Sequence, residues 1–226
     1  MGWGSILKNH KSMIVEFCGV PGGGKSTFVR EYLRRHSNMI TLVDLSMYRR
    51  FPEIWYGFLF ALFHPASFLW LCLYVLRYHM NGLFWYSFHL VLRACAKYQK
   101  AALLKKRVVF VDEGIVHTLS TLSSNTLTKE ELCRWLSRVI LPDVVCIASQ
   151  GNFHRFRDLG TGTHPRARMG NSELGNWKSA VMGNTLKVSL CLADFKKVFV
   201  LHIPNWMETP EEDIKGLSKY IGELVQ

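Results

Sequence analysis

One short stretch constrains this chain more than any other: Gly19-Val-Pro-Gly-Gly-Gly24-Lys25-Ser26. It has the spacing G-x-x-x-x-G-K-[ST], follows the short apolar run Met13–Phe17 and leads into a helical pattern over Thr27–Arg35. A loop of this kind turns successive backbone N–H groups inward around phosphate oxygens at a helix N-terminus, and side chains at the glycine positions would obstruct the approach. Gly19, Gly22, Gly23, Gly24, Lys25, Ser26 and Thr27 are therefore the expected nucleotide-binding set. Lys25 would contact the β- and γ-phosphates and Ser26 would ligate Mg²⁺, which makes ATP and Mg²⁺ the expected ligands.

Such a loop needs a sheet beneath it. Five β-rich runs are present, at Met13–Phe17, Met39–Val43, Val108–Val111, Val144–Ala148 and Val198–His202. They are near-continuous apolar segments separated by helix-like stretches, as expected of strands covered by helices on both faces. The pattern predicts an α/β fold with a five-stranded, parallel, doubly wound sheet. Thr128-Lys-Glu-Glu131 and Thr209-Pro-Glu-Glu212 each set a threonine three residues ahead of a glutamate, which predicts helices near 129–140 and 210–225. A length of 226 residues suits one such domain, spanning 1–226.

The second half of a nucleotide site should be a carboxylate at the end of another buried strand. Val108-Val-Phe-Val-Asp112-Glu113-Gly114 supplies it, with Asp112 placed at the carboxyl edge of the sheet, where open α/β folds bind ligands. Asp112 would hold Mg²⁺, while Glu113 would orient it or accept a proton from an acceptor. His117 follows closely and is a candidate to reach the same place, against the ordinary alternative of a structural histidine.

Residues 51–104 form an aromatic-rich helical insertion. Ile54 to Leu76 contains no Asp, Glu, Lys or Arg over 23 residues, enough for a transmembrane helix, but Pro65 interrupts it. A single crossing would put the glycine loop and Asp112 on opposite sides of a bilayer. A helical hairpin packed in the core, or one lying on a membrane surface, is expected instead, with core packing favoured. Beyond it, Phe84, Phe88, Val91, Leu92 and Cys95 mark one face of a helix from about Leu83 to Leu104. His89, Arg93, Lys97 and Lys100 line another, read as a solvated face or as one turned towards an anionic acceptor or lipid head group.

Hydrophobic residues make up 49% and charged residues 20%, which excludes a disordered chain. A net charge of +11 implies an anionic partner: nucleotide phosphates, a phosphorylated substrate or an acidic membrane surface. The basic residues are scattered and no nucleic-acid motif accompanies them, so no specific nucleic acid is expected. The guanine-specificity pattern N-K-x-D is absent. The six cysteines stand far apart without a C-x-x-C pair, which reads as reduced, mostly buried thiols. No apolar segment of signal-peptide length precedes Met13, so a cytoplasmic address is expected, with peripheral membrane association left open.

Taken in order, the phosphate loop, the strand ending at Asp44, the acidic strand, the Arg-rich segment, the last strand and the C-terminal helix resemble the thymidylate-kinase-like branch of the nucleoside-monophosphate-kinase group. The Asp-Glu-Gly turn gives a closer likeness to kinase-like proteins found among bacterial surface-polysaccharide genes. The resemblance implies an ATP-dependent phosphotransferase acting on a small molecule, anionic or hydroxyl-bearing, of nucleotide, sugar, sugar-phosphate or lipid-linked type. It implies a lid whose arginines close over the phosphates, here Arg155, Arg157, Arg166 and Arg168 within about 151–170. It also implies acceptor contacts from Asp44, Arg49 and Arg50, and an adenine passing Ile203-Pro-Asn205. The acceptor-loop motif of thymidylate kinases is missing, and the aromatic segment stands in its place. The alternative reading is a nucleotide-dependent ATPase or switch acting through a partner or an anionic membrane.

Overall fold

The computed structural model describes residues 12–19, 25–36, 40–43, 50–78, 84–104, 106–123, 125–148, 171–195, 198–203 and 210–225. Strands β1 (Met13–Gly19), β2 (Ile40–Leu42), β3 (Val108–Asp112), β4 (Val144–Ala148) and β5 (Phe199–Ile203) form one sheet in the order β2-β3-β1-β4-β5. Every pairing is parallel. The sheet is thus the one expected from the five apolar runs, and β1, which leads into the glycine loop, is its central strand.

Alternation along the strands explains why the runs read as continuously apolar. Val15, Phe17, Phe110, Val144 and Cys146 face a core layer shared with α1 (Lys25–His36) and α8 (Pro210–Val225). Ile14, Cys18, Val109, Val111, Val145 and Ile147 face the opposite, larger layer. That layer is built with α4 (Phe84–Leu103), α5 (Ile115–Thr121), α6 (Lys129–Leu136) and α7 (Asn171–Ala193), together with α3 (Pro65–Tyr78). A strand buried on both faces has no polar side to reveal its period of two.

The α6 cap forms as expected: Thr128 accepts from the Glu131 backbone N–H at 3.1 Å, and the Glu131 carboxylate accepts from the Thr128 N–H at 3.0 Å. Thr209 lies outside the described residues. The buried face of α7 is not purely apolar. Asn184, fully buried, accepts from Leu127 N at 2.8 Å and donates to the Asn125 carbonyl at 3.1 Å, so a polar side chain occupies a core position.

The insertion is helical, and it divides at His64: α2 (Arg50–Phe63) ends there and Pro65 opens α3 at an angle of 115°. A proline is well placed at a helix start, where its missing N–H would have no partner anyway. α2 lies against α4 so closely that a Cβ on Gly57 would come within 2.4 Å of Leu92 Cδ1. Core packing holds for one side only: Phe60, Leu71, Tyr74 and Val75 are buried, but large apolar side chains on the other side remain exposed. No single helix among the described residues is long and apolar enough to cross a membrane.

Two expectations need correction. Cys133 on α6 and Cys191 on α7 are joined in a disulfide, with Cα atoms 5.3 Å apart, rather than being free. Their sequence separation of 58 gave no spacing signal; Cys18, Cys95 and Cys146 are buried and free, as expected. Nor is Lys97 on a solvated face, since it is 6% exposed, whereas His89 does face solvent.

Thr128→Ala removes one half of the capping box and should lower stability by about 1 kcal/mol, or Tm by about 2–4 °C. Thermal melting followed by circular dichroism checks this; an unchanged Tm would mean the tertiary contacts of α6 alone hold its first turn.

Candidate functional site

The carboxyl ends of β1 and β3 meet through their register. Phe17 lies opposite Asp112, so β1 runs two residues further, to Gly19, before the loop. Gly19 has φ +152°, and a Cβ there would stand 2.8 Å from the Ala148 carbonyl of β4, so the turn out of the sheet needs glycine on both counts. At the other end of the loop, Lys25 and Ser26 open α1.

Ser26 Oγ donates to Asp112 Oδ2 at 2.7 Å. Asp112 Oδ1 is buried and accepts no hydrogen bond among the described residues. A buried carboxylate oxygen left open beside a hydroxyl is what a hard cation would complete. The described residues contain no group of three or more His, Cys, Asp or Glu that could hold a metal ion. Ser26 and Asp112 therefore fit Mg²⁺ that keeps water and phosphate oxygens as its other ligands. Lys25, 5% exposed, brings its ammonium to 4.0 Å from Glu113 Oε1.

The Asp112-Glu113-Gly114 turn is held from below by a residue that sequence reading passed over. Glu16, in the middle of β1, is fully buried. Its carboxylate accepts from His117 N at 2.6 Å, from Val116 N at 3.2 Å and from the Tyr98 hydroxyl of α4. It thereby supplies partners for first-turn N–H groups of α5, whose N-cap, Gly114, offers no side-chain acceptor. A Cβ on Gly114 would lie 2.6 Å from Glu16 Oε2 and 2.8 Å from Tyr98 Cε2, so the glycine is fixed by close approach. From the side, the Lys97 ammonium donates to the Asp112 carbonyl and, at 3.3 Å, to the Glu113 carbonyl. Glu113 itself takes φ 58°, a left-handed conformation that non-glycine residues seldom adopt.

The charges beneath the turn are tuned chiefly by burial. Burial raises Glu16 to about 7, against the opposing pull of Tyr98, the His117 and Val116 amides and Lys97. Burial lowers Lys97, opposed first by Glu113. It holds His117 well below the usual histidine range, with Lys25 acting the same way, so the imidazole is neutral near pH 7. His117 Nε2 lies 3.7 Å from Glu113 Oε1, beyond hydrogen-bond length.

Lys25, Ser26, Asp112, Glu113 and His117 thus converge at one sheet edge, while Thr27 lies exposed on α1. Gly22, Gly23, Gly24, Asp44, Arg49, the Arg50 side chain, Arg155, Arg157, Arg166, Arg168 and Asn205 lie outside the described residues. The signal for Glu16 was present as a lone carboxylate within the apolar run leading to the loop. For Lys97 it was a lysine embedded in Ala-Cys-Ala-Lys-Tyr, where neighbouring positions are small or apolar.

No family model and no curated protein matches this chain. Among solved structures it is similar to deoxyadenosine kinase from M. mycoides with products dCMP and dCDP bound, at TM-score 0.56 and 10% identity over 93% of this chain and 100% of that one. It is also similar to thymidylate kinase from Candida albicans (TM-score 0.54, 13% identity, 94% and 92% covered). A third is thymidylate kinase from Ehrlichia chaffeensis (TM-score 0.50, 15% identity, 93% and 98% covered). At these identities the likeness is one of fold: a five-stranded parallel sheet flanked by helices, that of P-loop kinases.

Glu16 gives the site a titration of its own. Its folded value lies above its ordinary 4.5, so its contribution to stability is complete below that value and is lost as pH rises through about 7. Relative to Glu16→Gln, which cannot titrate, the wild type should lose Tm between about pH 5 and about pH 8. A Tm difference that stays flat over this window would show that Glu16 does not titrate there.

Proposed function

We propose that this chain is an ATP-dependent small-molecule kinase. The observation that carries the reading is the Ser26–Asp112 hydrogen bond with Asp112 Oδ1 left open, beside a buried Lys25 at the end of a glycine loop. That combination gathers a cation and a metal-binding pair within reach of one triphosphate. The fold shared with structures named deoxyadenosine kinase and thymidylate kinase supports the same reaction class and puts nucleoside- and nucleotide-type acceptors first. Sugars and sugar phosphates follow, in keeping with the likeness of the Asp-Glu-Gly turn to kinase-like proteins of polysaccharide gene clusters.

In this reading Lys25 holds the β- and γ-phosphates, and Ser26 and Asp112 hold Mg²⁺, which when bound neutralises charge on the phosphate oxygens. Glu113 would accept the proton of the acceptor hydroxyl as its oxygen bonds to the γ-phosphorus. The bond from phosphorus to the β–γ bridging oxygen breaks, and ADP leaves. Neutral His117, behind Glu113, adds no competing positive charge next to that carboxylate. Glu16, Tyr98 and Lys97 are positioning residues that fix the turn carrying Asp112 and Glu113. Asp44, Arg49 and Arg50 would receive the acceptor, and Arg155, Arg157, Arg166 and Arg168 would close over the transferred group and exclude water.

ATP consumption against a panel of nucleosides, nucleoside monophosphates, sugars and sugar phosphates tests this. Acceptor-dependent turnover is expected, reduced roughly 10²–10³-fold in Lys25→Ala. Tight ATP binding with no acceptor-dependent turnover would replace the kinase with a nucleotide-dependent switch. Glu113→Gln separates the proton acceptor from the phosphate site: kcat should fall by roughly 10²-fold while ATP affinity stays near wild type. An unchanged kcat would remove Glu113 from the proton transfer.

A further inference from the structure

The pair α2–α3 exposes more apolar surface than a packed hairpin accounts for. Along α2, Phe51, Ile54, Trp55, Phe58 and Leu62 recur at helical spacing, and along α3 so do Leu69, Leu73 and Leu76. Their exposures run from 38% for Leu73 to 79% for Phe51, and Trp85 at the start of α4 is 77% exposed. Contiguous apolar stripes of this kind on a folded chain mark a surface that something else covers.

Charge indicates what covers it. The charged residues in α2 and α3 are Arg50, Glu53 and Arg77, and the single acid, Glu53, is 4% exposed with His89 3.5 Å away. The outer surface of the pair therefore presents no carboxylate. At the α3 edge, directly beside the Leu69–Leu76 stripe, an open pocket of about 270 Å³ is lined by Arg77, Arg134 and Arg138 with Trp70, Tyr78 and Trp135. Arg138 lies 3.9 Å from the centre of the Trp70 ring. The one acid there, Glu131, is 3.9 Å from Arg77 and already accepts from Thr128 N and the Tyr78 hydroxyl. Three guanidinium groups against one committed carboxylate leave the pocket suited to a phosphate.

We propose that α2 and α3 seat this protein on the surface of an anionic bilayer, with their apolar stripes in the acyl boundary and Arg77, Arg134 and Arg138 on lipid phosphates. The helices lie in the interface and do not cross it. Each has 14 residues, about 21 Å of helix against a hydrocarbon core of about 30 Å. Their inner faces are also committed to the core through Phe60, Leu71 and Val75, and through Tyr74, whose hydroxyl donates to the Leu119 carbonyl at 2.8 Å. A second copy of the chain is the less suitable occupant, because a two-fold contact on this face would bring the same uncompensated arginines together. Exposed tryptophans, Trp55 and Trp85, suit a headgroup boundary.

The test is flotation of the purified full chain with phosphatidylcholine vesicles, with and without phosphatidylglycerol. Wild type should float with the phosphatidylglycerol vesicles and lose affinity as salt is raised. Phe58→Glu combined with Leu62→Glu should abolish flotation. Arg134→Ser and Arg138→Ser should each weaken it about fivefold, and all variants should keep the wild-type circular dichroism and melting. Lys25→Ala should float like wild type, so this outcome is independent of the phosphoryl-transfer reading. No flotation on either vesicle, or flotation unchanged in the stripe and arginine variants, overturns the proposal. So does a concentration-dependent dimer in sedimentation velocity that Phe58→Glu dissolves, which would assign the face to a second copy.

Discussion

A carboxylate buried in the middle of the central strand organises the chemistry at the strand's end. Glu16 accepts from two backbone amides of α5 and from Tyr98 of α4, so one side chain joins the sheet, the helix after the acidic turn and the helical insertion. Burying a carboxylate is costly unless its oxygens are satisfied, and here every bond it receives comes from a group that would otherwise be buried without a partner. The arrangement works both ways: α5 has no side-chain cap of its own and borrows one from β1. Asp112 and Glu113 stand on the turn between these two elements, and their spacing from Lys25 and Ser26 follows from that junction.

The framework of the molecule was open to reading because it repeats simple rules. Continuous apolar runs gave five strands, and Thr128 with Glu131 gave a helix start that forms with both its bonds. Asp112 was legible for the same reason: four apolar residues leading into an acid place that acid at the sheet edge. What escaped depends on contacts distant in sequence. Glu16 looks like an interruption of an apolar strand until residues 98, 116 and 117 come alongside it, and Lys97 looks like a member of a basic stripe until the carbonyls of 112 and 113 are placed beside it. The Cys133–Cys191 pairing likewise depends on how α6 lies against α7.

The insertion shows the limit of composition as a guide. Twenty-three residues without a formal charge fit either a core hairpin, the favoured expectation, or a membrane-facing one. The 115° break at His64 leaves each helix with one side in the core and one side outward. Hydropathy averages over both sides, whereas the exposed stripe is a property of one. α4 links this region to the site: Leu92 receives the close approach of α2 at Gly57, and Lys97 and Tyr98, little more than a turn further on, hold the acidic turn and Glu16.

The strand order also bears on how the chain acquires this arrangement. β1 is near the start of the sequence, but its two neighbours are β3 and β4, so its hydrogen bonds wait for residues 108–112 and 144–148. Glu16 waits for α4 and α5 in the same way. During synthesis from the N-terminus, β1 emerges before either neighbour and gains the first at residues 108–112 and the second only at residues 144–148. Contacts of such long sequence separation close slowly. The central strand, though first of the five in the sequence, is therefore fully paired only after β4 has been made, and until then its apolar run stays uncovered in the nascent chain.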